Sequence, residues 1–167
     1  MTEEETQLFE AISAPARLAE YSEQTAKGAG EKLEEKLLSD KKKWTADIRQ
    51  LVERTREVRN LTECQVDMLS WRQMIVDKIV LLKSTVYKRR AHWDKYHKQK
   101  YRGYTLDYDI KLTKDEKISF IDADMAALKF QIRLIESHIE FYQDSIRTLD
   151  NLAFAIRNRI RLSEDDF

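Results

Sequence analysis

One proline, three glycines and a single cysteine are spread over 167 residues. Each scarcity narrows what the chain can be. With so few helix-breaking residues and 36% of positions charged, the composition reads as long helices or coiled coil. A lone Cys64 excludes an intrachain disulfide, in keeping with a reducing compartment. No apolar run is long enough to span a bilayer, and Met1-Thr-Glu-Glu-Glu5 is acidic and lacks the apolar run of a secretory leader. The expectation is a soluble, cytoplasmic protein (host cytoplasm if viral) with no membrane partner. Catalytic groupings are missing too. Lys27-Gly-Ala-Gly-Glu-Lys32 lacks the spacing and the Ser/Thr of a phosphate-cradling loop. Cys64 has no zinc-ligand partner, His92 and His97 stand five apart, and His138 reads as structural. Asp122 and Asp124 diverge on a helix. No nucleophile, base and orienter come together, so no catalytic residue, metal or cofactor is expected and the chain does not read as an enzyme.

What the sequence has is periodicity. From Ile118 an apolar or amphipathic residue recurs every three or four positions: Ile121, Met125, Leu128, Ile132, Ile135, Ile139, Tyr142, Ile146, Leu149, Ala153, Ile156, Ile160. Such a stripe predicts one long helix over Thr113–Leu162. A second line beside it, Phe120, Ala127, Leu134, Phe141, Thr148, Ala155 and Leu162, predicts more than one neighbour, in a bundle or an oligomer. Thr113-Lys-Asp-Glu116 fits a capping box at its start. Arg157, Arg159 and Arg161 suit the negative end of its dipole.

Upstream, residues 1–30 read as an N-terminal arm or accessory helix, with a helix start near Pro15 and a break at Gly28-Ala-Gly30. Residues 31–162 read as the oligomerisation and nucleic-acid-binding domain, and 163–167 as an acidic tail. Between Glu31 and Arg102 the three-four spacing runs through Trp44, Ile48, Leu51, Thr55, Val58, Leu61, Gln65, Met68, Arg72, Ile75, Ile79, Leu82 and Val86. It predicts one very long helix, or two in series with a break near Asn60-Leu-Thr62. Gly103 is expected to end that run. Tyr104 to Leu112 alternates apolar and polar, as either a short extended segment or a packed linker. A connection so short makes the long helices antiparallel neighbours.

The richest stretch is Lys83–Tyr104, with eight Lys or Arg against the single acid Asp94, interleaved with aromatic rings. Cations neutralise phosphates and flat rings stack on unpaired bases. The other reading is a solvated basic helix end whose rings pack on a partner helix. The candidate nucleic-acid-binding residues are Lys88, Arg89, Arg90, Trp93, Lys95, Tyr96, Lys98, Lys100, Tyr101 and Arg102. Lys41-Lys-Lys43 reads as a solvated face.

The order of features from Trp44 to Arg161 resembles the UvsY family of phage recombination mediators. A long helix closes in Tyr96-His-Lys-Gln-Lys-Tyr-Arg-Gly103, Leu112-Thr-Lys-Asp-Glu116 opens the next, and Phe154-Ala-Ile-Arg157 resembles the family's Phe-Ala-Ile-basic run. The resemblance implies a helical, ring-like homo-oligomer without enzymatic activity. It would bind single-stranded DNA, help displace the single-strand-binding protein and load a RecA-like recombinase. Lys98, Lys100 and Arg102 would be the matched DNA-binding residues. The first 43 residues and the acidic tail depart from the family's pattern. The expectation is therefore an all-α chain, a long antiparallel, coiled-coil-like helical hairpin with an accessory N-terminal helix, oligomeric, acting as a recombination mediator. The alternative is a structural or adaptor coiled coil, a scaffold or assembly factor without nucleic acid binding.

Overall fold

The computed structural model describes residues 23–106 and 111–165, with side chains described over 27–106 and 111–162. Helix α1 spans Glu23–Arg54 and a 3-10 turn spans Val58–Asn60. Helix α2 spans Leu61–Leu106, α3 Lys114–Asp124 and α4 Ala126–Asp165. The chain is all-α, with no strand among the described residues. Its described residues divide into two compact helical units, the first holding those up to Leu37 and within Leu82–Glu136, the second those within Leu38–Leu81 and from Ser137 onward. The expected arm before residue 23 and the end of the acidic tail lie outside the described residues.

In the second unit the three-four stripe closes into a core. Trp44, Leu51, Leu61, Met68, Ile75, Ile139, Tyr142, Leu149 and Ile156 are all buried. Trp44 meets Trp71 and Tyr142 edge-on, at centroid separations of 6.1 and 6.2 Å, the arrangement ring quadrupoles favour. The turn after α1 ends at Asn60, where the sequence allowed a break between two helices, and it corrects only their placement in series. Arg54 reaches Asp67 at 2.8 Å and Lys78 reaches Asp40 at 3.4 Å, so the α1 and α2 segments lie side by side. Buried Thr55 gives the turn its start, its hydroxyl donating to the Val52 carbonyl at 2.7 Å instead of leaving the backbone to continue. Glu57 then gathers Arg59 and Asn60 at 2.8 and 3.1 Å.

In the first unit Leu33, Leu37, Leu82, Val86, Leu128, Ile132 and Ile135 are buried. A further cluster of Ile121, Met125 and Leu128 is covered by Trp93, Tyr96, Tyr101 and Tyr104. Gly28 and Gly30 do not break α1, contrary to the sequence expectation. Gly30 is buried, with Phe130 and Gln131 carbons 3.6 Å from where a Cβ would stand. Packing thus outweighs the cost of about 1 kcal/mol that a glycine imposes on a helix. Gly103 is likewise helical, flanked by Tyr101 and Tyr104 on the core cluster. Helix α2 therefore takes in Tyr104–Leu106, which corrects the extended reading there; residues 107–110 lie outside the described residues.

The capping box forms as its residues dictate. Glu116 donates its backbone N–H to the Thr113 hydroxyl at 3.3 Å, and the Thr113 N–H donates to the Glu116 carboxylate at 2.8 Å. The long helix expected over Thr113–Leu162 is interrupted once, at Met125, whose backbone leaves helical geometry at φ −106° and ψ 8°. The Met125 and Lys129 amides still find Ile121 and Met125 carbonyls at 3.0 and 3.1 Å, so the interruption is local. Within the second line, Ala127, Leu134 and Phe141 are half-buried, whereas Phe120, Thr148, Ala155 and Leu162 face solvent. Helix α4 does have two neighbours in the second unit. His138 and Tyr142 touch Asp40 of α1, and Asp150 accepts from Arg72 of α2 at 2.9 Å.

Candidate nucleic-acid interface

The buried stripe of α2 does not stop at Val86. The same three-four count continues through Arg89, Trp93, Tyr96 and Lys100, and these are the positions facing α3 and α4 in the first unit. Arg89 donates to the Gln131 amide oxygen, and burial presses its guanidinium below the ordinary value. Arg90, beside it, pairs with Glu136. Lys100 donates to Asp124 at 2.9 Å, and the Tyr104 hydroxyl donates to the same carboxylate oxygen at 3.0 Å. Trp93, Tyr96 and Tyr101 lie on the Ile121, Met125 and Leu128 cluster, half-buried. The Lys117 ammonium sits over the Tyr101 ring, 5.8 Å from its centroid. Six of the ten candidates, Arg89, Arg90, Trp93, Tyr96, Lys100 and Tyr101, thus make contacts that hold the helices together.

The remaining four are Lys88, Lys95, Lys98 and Arg102. All are exposed, and none forms an ion pair among the described residues. With exposed Ala91 they read 88, 91, 95, 98, 102, the three-four spacing of one helix face. The stripe covers about 21 Å of helix at 1.5 Å per residue. Asp94, the single acid between Lys83 and Tyr104, stands one turn before Lys98, at the edge of this face. Tyr87, whose residue is 74% exposed, lies at the stripe's N-terminal end, four positions before Ala91. It is the one ring of this stretch that folding leaves open for stacking. The structure therefore separates cations and rings that the sequence interleaves.

Tyr87 is absent from the ten candidates, and the inward six are included, for one reason. Between Lys83 and Tyr104 cations or rings occupy every face of the helix, so composition cannot distinguish the faces. Extending the Ile79, Leu82, Val86 count by about four turns does distinguish them.

The other basic groups also separate. Lys41, Lys42 and Lys43 are all exposed, the solvated face that the sequence suggests, and the Lys41 ammonium also rests 5.2 Å from the Phe141 ring centroid. Arg159 crosses to the end of α1 and donates to the Thr55 and Arg56 carbonyls, at 2.6 and 3.4 Å. It thereby satisfies carbonyls that a helix end leaves open. Arg157 and Arg161 remain exposed. Cys64 is fully buried, and burial pushes its thiol up, which suppresses the reactive thiolate. Among the described residues no His, Cys, Asp and Glu group is placed to hold a metal ion. No helix among them is long and apolar enough to cross a membrane.

No family model, curated protein or solved structure matches this chain.

Proposed function

We propose that this chain binds single-stranded DNA through the outward stripe of α2. We further propose that it acts as a recombination mediator, promoting the loading of a RecA-like recombinase in place of single-strand-binding protein. The observation that carries the binding is Lys88, Lys95, Lys98 and Arg102 on one exposed face without carboxylate partners among the described residues, with the Tyr87 ring at its end. Four aligned cations offer a continuous track for a phosphate backbone, and the exposed ring offers a stacking platform. The mediator role is drawn from the likeness to the UvsY family and not from the geometry.

The antiparallel hairpin belongs to the same proposal. In the first unit Lys100 pairs with Asp124 and Arg90 with Glu136: the number falls on α2 as it rises along α3 and α4. Self-association is proposed as well, through apolar residues that α2 leaves exposed in the second unit.

The test is anisotropy of a labelled oligo-dT titrated across salt, comparing the parent with Lys88, Lys95, Lys98 and Arg102 changed together to Ala. Wild-type binding should weaken linearly in log–log form. The quadruple variant should flatten the slope by about 3, at roughly 0.7 for each phosphate that is no longer neutralised. No binding by the parent at low salt would sink the single-strand reading. The adaptor coiled coil, with the exposed apolar face as its partner surface, would then take its place.

A further inference from the structure

We propose that Phe154, Arg157 and Arg161 of α4 form a second contact site for single-stranded nucleic acid, confined to the second unit. The spacing of three and then four puts these residues on one helix face, away from the face that buries Leu149 and Ile156. The helical period sorts the run Arg157-Asn-Arg-Ile-Arg161. Arg159 reaches across to the turn that ends α1, whereas Arg157 and Arg161 extend into water with no ion pair among the described residues. Phe154 is 61% exposed, a large ring that folding leaves uncovered between two turns of helix. Asp150, one turn earlier, is already matched by Arg72 at 2.9 Å, so its charge is offset locally.

An exposed ring with two guanidiniums beside it fits a nucleotide strand. Guanidinium forks match phosphate oxygens in a bidentate manner, and the ring supplies a stacking face that any unpaired base can use. A duplex keeps its base faces stacked inside, so the ring contributes only for a single strand. From Phe154 to Arg161 the face covers about 10 Å of helix, long enough for two or three nucleotides stacked at ~3.4 Å. The ligand class rests on the single-strand reading of the α2 stripe, but the site is carried by different residues.

Full-length protein carrying Phe154→Ala, Phe154→Tyr, or Arg157→Ala with Arg161→Ala is titrated against labelled oligo-dT and a duplex of equal length over a salt series. Circular dichroism confirms helix content. Phe154→Ala should weaken oligo-dT binding by about tenfold with an unchanged salt slope and leave duplex binding as it was. Phe154→Tyr should restore the affinity. The double arginine variant should flatten the single-strand slope by about 1.4, two phosphates at ~0.7 each. Wild-type affinity and slope in both the Phe154→Ala and double arginine variants, with binding abolished in the α2 quadruple variant, would overturn this second site and leave the stripe standing. The reverse pattern would support the α4 site and remove the stripe. A Phe154→Ala loss that is equal for duplex and single strand would overturn the stacking role.

Discussion

Asp40 carries a carboxylate into the interior of the second unit, where three side chains meet it. His138 Nε2 lies 2.8 Å away, the Tyr142 hydroxyl donates to the same oxygen, and Lys78 stands 3.4 Å from the other. Burial alone raises its pKa, but the His138 and Tyr142 hydrogen bonds and the Lys78 charge outweigh burial. Together they hold the carboxyl below its ordinary 3.8. A depressed folded-state pKa means that Asp40 contributes stability above pH 3.8, lost as pH falls through the folded value. Asp40→Ala should therefore cost about 3 kcal/mol at pH 7, by leaving the half-buried Lys78 charge and the buried Tyr142 hydroxyl without their partner. The gap between variant and parent should narrow toward pH 3, as urea melts at both pH values would show; an equal gap at both would contradict the role given to its charge. Lys100 offers the opposite case, a cation spent on structure. Its pair with Asp124 is half-exposed, so Lys100→Gln should cost under about 1 kcal/mol. It should also leave the salt slope of DNA binding at the parent value, whereas Lys98→Gln should lower that slope. In composition the two lysines look alike, and the apolar count carried on from Val86 tells them apart.

The end of α1 and the start of α3 are each set by an identifiable chemical feature, and one of the two is legible in the chain. Thr113 and Glu116 form the box their spacing predicts, and hydrogen bonds from the Thr113 backbone and hydroxyl hold the Glu116 carboxyl below its ordinary value. Thr113→Ala should cost about 1 kcal/mol in thermal or urea unfolding, and Thr113→Ser should retain most of it. Gly30 misleads because propensity is a local quantity while its setting is tertiary. A Cβ at Gly28 would meet nothing within 4 Å, and one at Gly30 would meet its nearest atoms at ordinary contact distance. Gly28→Ala and Gly30→Ala should each stabilise the fold by roughly 0.5–1 kcal/mol, read as a raised urea midpoint. A loss of stability at Gly30 would mean that Phe130 or Gln131 cannot give way. The reversal after Arg54 is illegible for a different reason. The apolar count passes through Thr55 and Val58 without slipping, so periodicity continues through a turn made by one threonine hydroxyl and one glutamate. The stripe of α4 is legible because long apolar residues repeat there without polar substitutes.

At the scale of the whole molecule, burial accounts for most long apolar side chains but leaves one group on α2 outside. Val66, Leu69 and Val80 are 63%, 64% and 60% exposed, and with Gln73 and half-buried Val76 they read 66, 69, 73, 76, 80. That is heptad spacing on the face opposite the core, the geometry of a seam awaiting another helix. The five positions are nearly symmetric about Gln73. An antiparallel second copy would set Val66 against Val80 and Leu69 near Val76, with the two Gln73 amides meeting at the centre to fix register. Sedimentation equilibrium at tens of micromolar should therefore give the parent a mass above the single-chain 19.9 kDa, and Leu69→Lys with Val80→Lys should return it to that value with helix content intact. A parent that sediments as a single chain would remove this face as a self-association surface. Association also has a consequence for binding, because each added copy repeats the basic stripe. Linked sites raise avidity without any new contact. The lysine variant should thus lose more affinity for a long strand that reaches several stripes than for an oligonucleotide that reaches one. An equal loss on both lengths would mean that the copies do not share a strand.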